Sequence, residues 1–310
     1  MRVAIHQMSP VLLDLKANLE EVIEKINQSK EKGVQLNVFP ELALTGYFVG
    51  PRYHEVSLRL DSKEIQSLKD ATKGTGAIVG FIEESPSMNF YNSALVAIDG
   101  EILFAYRKLN LPNYGVFEER KCFANGKQVK VFQHCGLNVA VFICNDLWHP
   151  SIPYLAVCQK ADVFITIINS TEEAMAPEFS NMESWEIINK SYSRIYGIFN
   201  ICANRVGKEK AKDWGNYIEK TTDVEFSYDL FCHMEEGPVF EFWGGSEIIN
   251  PYGQQVYKAA YYEPDEIFGE IDRNVLRQKK ILLPYLRNDD PFFTHRELTR
   301  VLFDKEKNIN

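Results

Sequence analysis

The chain has 310 residues, of which 45% are hydrophobic and 25% charged, enough to bury a large core as one big domain or two modest ones. Its formal net charge of -9 argues against a broad electrostatic footprint for nucleic acid or for an anionic membrane surface. Apolar runs such as 137–144 and 163–168 are far shorter than the roughly 18 residues that span a bilayer, and the opening MRVAIHQMSP meets His6 and Gln7 before any signal-like stretch develops, so the chain reads as cytoplasmic.

Taken in order, RVAIHQ at 2–7 reads as a short strand, and 14–32 places Leu15, Leu19, Val22, Ile23 and Ile26 at the spacing of an amphipathic helix. VQLNVFPELALTGY follows as a strand broken by Pro40, then a helix over 62–73. AIVGFIEE and YNSALVAID read as strands, with Asp99-Gly100 as a hairpin turn into EILFAYRK. A strand at 137–144 leads to a helix near 151–160 and a strand at 163–168. A helix at 180–196 precedes GIFNICANR, SEIINPYGQQVYKAA with its Pro-Tyr-Gly turn, and EIFGEID. This interleaving predicts an α/β layered fold with a mixed sheet, and no linker or low-complexity stretch divides it.

Six cysteines, at 122, 135, 144, 158, 202 and 232, form no CxxC pair and point to reduced thiols rather than a disulfide framework. Cys144, His149 and Cys158 lack the paired spacing of a structural zinc site, so no metal and no cofactor is expected. His149 lies five residues from Cys144, but Ile143 and Asn145 flank that cysteine in neither a helix-opening nor a glycine-flanked context, and His149 reads as a turn residue with local hydrogen bonds.

Three strand ends carry polar residues on otherwise apolar segments: Glu41 after NVFP, Lys108 after ILFAYR and Cys144 after VAVFI. Singly, they fit a solvated loop carboxylate, a strand-edge charge and a core thiol. Together they meet the needs of carbon–nitrogen bond hydrolysis by a thiol. A thiol is mostly protonated at neutral pH, so its attack on a carbonyl or nitrile carbon needs a neighbouring base or cation, and a glutamate can be that base. Lys108 and the backbone N–H of Asn145 suit the oxyanion that forms, and a carboxyl that returns its proton lets the amine leave.

These segments resemble the nitrilase superfamily of carbon–nitrogen hydrolases, whose catalytic residues are Glu, Lys and Cys in that chain order. The likeness lies in NVFPELALTGY, YRKLNLPNYGVFEE and ICNDLWHP, with ANRVG at 203–207 and GSEIINPYG at 245–253, and extends over about residues 1–300. It implies a four-layer α-β-β-α sandwich, with Glu41 as general base and acid, Lys108 as oxyanion stabiliser and Cys144 as nucleophile. Of Glu118 and Glu119, the spacing favours Glu119 as the further glutamate that orients the lysine and substrate. LPNYGVFEE is particularly similar to the glutaminase domain of glutamine-dependent NAD synthetases, which would make Tyr114 and Phe117 the lining of an acyl pocket and favour a small linear amide over a nitrile or carbamoyl amine. Asn145 departs from the aromatic or acidic residue common after the nucleophile, and gives the substrate a different polar contact.

The chain is expected to be one hydrolase domain over 1–310, with an insertion at about 207–241 and a C-terminal tail from about 284. No SGGxDS-like phosphate loop occurs, so no synthetase domain is expected to use released ammonia. The resemblance also implies a homodimer, for which the helical stretch SWEIINKSYSRIYGIF suits a symmetric interface. The contrasting reading, a non-catalytic binding or scaffold subunit, would show a lost catalytic position, and all three are present.

Overall fold

The computed structural model describes residues 1–172, 180–210 and 239–303. Its strands are β1 (Arg2–Gln7), β2 (Leu36–Val38), β3 (Gly76–Glu84), β4 (Phe90–Ile98), β5 (Glu101–Arg107), β6 (Val131–His134), β7 (Leu137–Ile143), β8 (Val163–Ile168), β9 (Phe199–Asn204), β10 (Val206–Lys210), β11 (Val239–Trp243), β12 (Glu247–Ile249), β13 (Gln255–Lys258) and β14 (Asp265–Glu270). The helices are α1 (Leu15–Glu31), α2 (Lys63–Ala71), α3 (Ser151–Cys158), α4 (Asn181–Tyr196), α5 (Arg273–Leu282) and α6 (Pro291–Phe303).

Two six-stranded mixed sheets form, in the spatial orders β14-β1-β2-β3-β4-β5 and β13-β12-β9-β8-β7-β6. Val3, Ile5, Val38, Ile78 and Val96 of the first sheet share one buried cluster with Val139, Val141, Ile143, Ile165 and Ile201 of the second, so the sheets pack face to face. The opposite face of the first sheet packs Val79, Phe81 and Leu95 against Val22 and Ile26 of α1 and Ile65 and Leu68 of α2. The opposite face of the second packs Phe142 and Phe164 against Ile152 and Ala156 of α3 and Trp185 of α4. The result is the expected α-β-β-α sandwich. No described helix is long and apolar enough to cross a membrane.

Local chemistry explains the element boundaries. Asp14, Ser62 and Ser180 accept hydrogen bonds from the first-turn N–H groups of α1, α2 and α4, and Gly197 ends α4 at φ 66°. Asp99 and Gly100, at φ 49° and 76°, make the tight β4–β5 turn expected of that dipeptide. Short or strongly charged strands gave no sequence signal: β6, β10 and β11 emerge only through their pairing, and the helices α5 and α6 were not foreseen either. Of the expected insertion, β10 and β11 pair antiparallel from Val206–Trp243 to Lys210–Val239, while residues 211–238 lie outside the described residues.

The topology fixes where chemistry can occur. β2 is parallel to β3, and two successive antiparallel pairings make β5 run in the same direction as both. In the other sheet β7, β8 and β9 are mutually parallel. Glu41 and Lys108 therefore follow the carboxyl ends of co-directional strands in one sheet, and Cys144 and Asn169 follow those of the other. Such strand ends are where a layered α/β sheet places its ligand crevice.

Candidate active site

Glu41 is fully buried, and both its carboxylate oxygens are held. Oε1 accepts from Lys108 Nζ at 2.7 Å and from Asn92 Nδ2 at 2.7 Å, and Oε2 accepts from the Asn169 backbone N–H at 2.8 Å. Asn169 Nδ2 also donates to the Glu41 carbonyl at 2.7 Å, so one residue after β8 grips both ends of the glutamate. The turn that carries Glu41 lies directly against Gly80 of β3. A Cβ there would stand 2.3 Å from Leu42 N and 2.4 Å from Pro40 O.

Lys108, also fully buried, spans two carboxylates, with Nζ donating to Glu119 Oε1 at 2.6 Å as well as to Glu41. Burial alone would depress the ammonium, but Glu119 and Glu41 together hold its pKa well above the usual lysine range. Glu119 is buried, and Tyr47 donates its hydroxyl to the same Oε1 at 2.6 Å, whereas Oε2 has no hydrogen-bond partner among the described residues. Desolvation raises the Glu119 carboxyl to about 7 against the opposing pull of Lys108. Glu118, its neighbour, points away and takes the ammonium of Lys121 at 2.7 Å.

Cys144 begins a short 3₁₀ turn, Cys144–Trp148, at the mouth of β7. Its φ of 45° is unusual for a residue with a side chain, and such backbone conformations cluster at functional sites. The thiol is held well above its usual pKa, first by burial and then by Glu41, while Lys108 and the Asn169 N–H pull the other way. At neutral pH it is therefore a thiol that needs a proton acceptor.

The remaining sequence-selected residues gather at one side of this group. Phe117 is buried edge-on between Tyr47, at 5.9 Å between ring centroids, and Tyr114, at 6.1 Å. Tyr114 is 47% exposed and donates its hydroxyl to Asn145 Oδ1 at 2.8 Å. Asn145 Nδ2 donates to the Asn110 carbonyl at 3.3 Å, so both ends of the side chain already engage the protein. Asn145 Nδ2 also lies 3.5 Å from His149 Nε2, the local bonding expected of that histidine. Trp148 packs edge-on to Trp185 at 5.7 Å. Among the described residues no group of three or more His, Cys, Asp or Glu side chains is placed to hold a metal ion.

Sequence reasoning passed over Tyr47, Asn92, Asp146, Asn169 and Glu209. Glu209, on β10, accepts from the Tyr47 N–H at 3.0 Å and the Phe48 N–H at 3.0 Å, and pairs with the buried guanidinium of Arg205. Arg205 in turn lies 4.2 Å over the ring of Phe242. Of these, Tyr47 stood inside NVFPELALTGY and Asp146 inside ICNDLWHP, both segments already singled out.

The profile of the carbon–nitrogen hydrolase family matches residues 2–281, and the chain belongs to that family. It is therefore an enzyme of the carbon–nitrogen hydrolase class. Among curated relatives, the glutamine-dependent NAD(+) synthetase of Thermotoga maritima is 40% identical over 156 residues, which are 49% of this chain and 27% of that protein. The N-carbamoylputrescine amidase of Arabidopsis thaliana is 22% identical over 96% of this chain and 93% of its own length. The chain spans less than half the length of the NAD synthetases it matches, 46% of the one from Acinetobacter baylyi. Among solved structures, a carbon–nitrogen hydrolase from Helicobacter pylori G27 superposes with a TM-score of 0.79 at 21% identity, covering 97% of this chain and 98% of that one, and shares its fold.

Proposed function

We propose that the chain hydrolyses a small linear primary amide through a thioester on Cys144. In this reading Glu41 takes the thiol proton as Sγ attacks the carbonyl carbon, and the C–S bond forms as the carbonyl π pair moves to oxygen. Lys108 and the Asn145 N–H, which opens a turn where N–H groups have no intrahelical partner, receive the oxyanion. Glu41 then gives its proton to the nitrogen, the C–N bond breaks and ammonia leaves. Water attacks the thioester with Glu41 again as base, releasing the acid and the thiol. Glu119, braced by Tyr47, orients Lys108, and Tyr114 and Phe117 bound the acyl side.

The observation that carries this reading is the buried Glu41–Lys108–Glu119 chain beside a cysteine on a positive-φ turn. The NAD synthetase relatives depend on glutamine by name, which makes glutamine one amide to test, and the Arabidopsis relative adds carbamoyl amines. The decisive experiment incubates the protein with primary amides, carbamoyl amines and nitriles, follows ammonia, and seeks an adduct on Cys144 by mass spectrometry. Amide turnover lost in Cys144→Ala supports the proposal. An adduct from nitriles alone refutes amide hydrolysis, and neither ammonia nor adduct across the panel favours a binding subunit.

We further propose a homodimer, supported by exposed Ile187 and Ile195 on α4. A light-scattering mass of one chain at micromolar concentration would refute it.

A further inference from the structure

Asp146 lies two residues after the cysteine and is fully buried, yet it touches none of Glu41, Lys108 or Glu119 by hydrogen bond. Its Oδ1 accepts from the backbone N–H groups of Leu109 at 3.0 Å and Asn110 at 2.8 Å. Its Oδ2 accepts from Tyr106 Oη at 2.8 Å and from the Ile143 N–H at 3.3 Å. Tyr106, Leu109 and Asn110 flank Lys108 on the first sheet, and Ile143 immediately precedes Cys144 on the second. One carboxylate thus fastens the end of β5 to the end of β7.

We infer that Asp146 is a positioning residue that sets the distance between the Lys108 ammonium and the Cys144 sulfur. This rests on the hydrolytic reading above. The backbone around Lys108 is held to its own side of the molecule by hydrogen bonds on either side of the lysine. The Lys108 N–H donates to Asn92 O at 2.9 Å, the Lys108 carbonyl accepts from the Gly126 N–H at 2.7 Å, and the Leu109 carbonyl accepts from Asn125 Nδ2 at 2.6 Å. What remains is the relation of that segment to the other sheet, and here the acidic side chain joins them. A carboxylate suits the task because all four of its partners are donors. An amide of the same shape has one oxygen, and its NH₂ would face N–H or O–H groups, so Asp146→Asn keeps the volume and breaks the fastening.

The test compares the parent with Asp146→Asn and Tyr106→Phe, the latter removing only one of the four donors. Three quantities are read: kcat and KM for a primary amide that the parent turns over, the pH profile of Cys144 alkylation by iodoacetamide, and the thermal midpoint. The charged groups facing the sulfur are Glu41, Lys108 and Glu119, and all stay in both variants. For Asp146→Asn, kcat falls about 100-fold, the scale of a misplaced catalytic group, with KM little changed. Its alkylation profile moves to higher pH, because the cation that favours the thiolate is no longer held near it. Tyr106→Phe shows the same two changes in smaller degree and serves where Asp146→Asn does not fold. A lowered midpoint with unchanged kcat and an unchanged alkylation profile would mean that Asp146 only holds the fold together, and would overturn the inference. Absence of amide turnover in the parent would count against the proposed reaction alone, since alkylation still reports whether Asp146 governs the environment of the thiol.

Discussion

Tyr47→Phe removes one atom from the structure and isolates the role of Glu119. The ring stays packed edge-on to Phe48, at 5.0 Å, and to Phe117, at 5.9 Å, so no cavity opens. What is lost is the hydroxyl that donates to Glu119 Oε1 at 2.6 Å. A buried hydrogen bond to a charged acceptor contributes about 1.5–3 kcal/mol, which as transition-state stabilisation corresponds to roughly a 10- to 150-fold change in rate. That range bounds the expected loss in kcat/KM, because in the proposed reaction Glu119 acts only through Lys108. The direction in pH is firmer. The Tyr47 hydroxyl favours the ionised form of a carboxyl that burial has raised to about 7, so its removal pushes that value higher. Initial rates of ammonia release measured on both sides of neutrality should therefore show the acid limb displaced toward alkaline pH in the variant. A kcat/KM within twofold of the parent together with an unmoved acid limb would refute the role given to Glu119.

Gly80→Ala should abolish most turnover while the chain still folds, because the new Cβ would stand 2.3 Å from Leu42 N and force the turn bearing Glu41 away from Lys108; circular dichroism with an ammonia assay checks both halves. Burial raises Glu119 to about 7 and Asp146 to about 6, above their ordinary 4.5 and 3.8, so the folded chain retains protons that the unfolded chain releases. From these two groups stability rises as pH falls through 7 and 6 while activity, which in the proposed mechanism needs both ionised, declines; thermal midpoints that fall in step with activity over this window would contradict the assignment. Glu209→Gln leaves the buried Arg205 without its charge partner and weakens the hold on Tyr47, with an expected cost of about 3–5 kcal/mol in urea unfolding and a parallel loss of turnover.

The layered fold was legible because its long strands and amphipathic helices carry their own periodicity, and the site because Glu41, Lys108 and Cys144 each interrupt an apolar run. Glu119 followed from its place beyond the lysine, and the structure turns it, rather than Glu118, toward Lys108. The residues that were missed share a different property. Asn169, Tyr47 and Glu209 act on partners far away in the chain, as in the bond from Asn169 to Glu41 across 128 positions and that from Tyr47 to Glu209 across 162. A local pattern holds no trace of such pairing. Asp146 stood in plain view beside the cysteine, but a carboxylate in a polar turn reads as solvated until the donors from the other sheet are placed around it. The strands β10 and β11 were hidden for a related reason: Val206–Lys210 is short, charged and glycine-containing, and becomes a strand only against its partner.

Glu41 and Lys108 hang from one sheet and Cys144 and Asn169 from the other, so the group behaves as a calliper whose arms are the two β layers. Its opening is set by the apolar side chains between them, among them Val38 and Ile78 on one side and Val141 and Ile143 on the other. Interiors packed to crystal-like density transmit a change of even one methylene. Substitutions in that layer, remote from any reacting atom, should thus register as lost turnover before they register as lost folding. The outer cores reach the same group from the far side of each sheet, through Phe39 and Ala43 about Glu41 and through the contact of Cys144 with the layer beneath α3 and α4, but the central layer alone lies between the two arms.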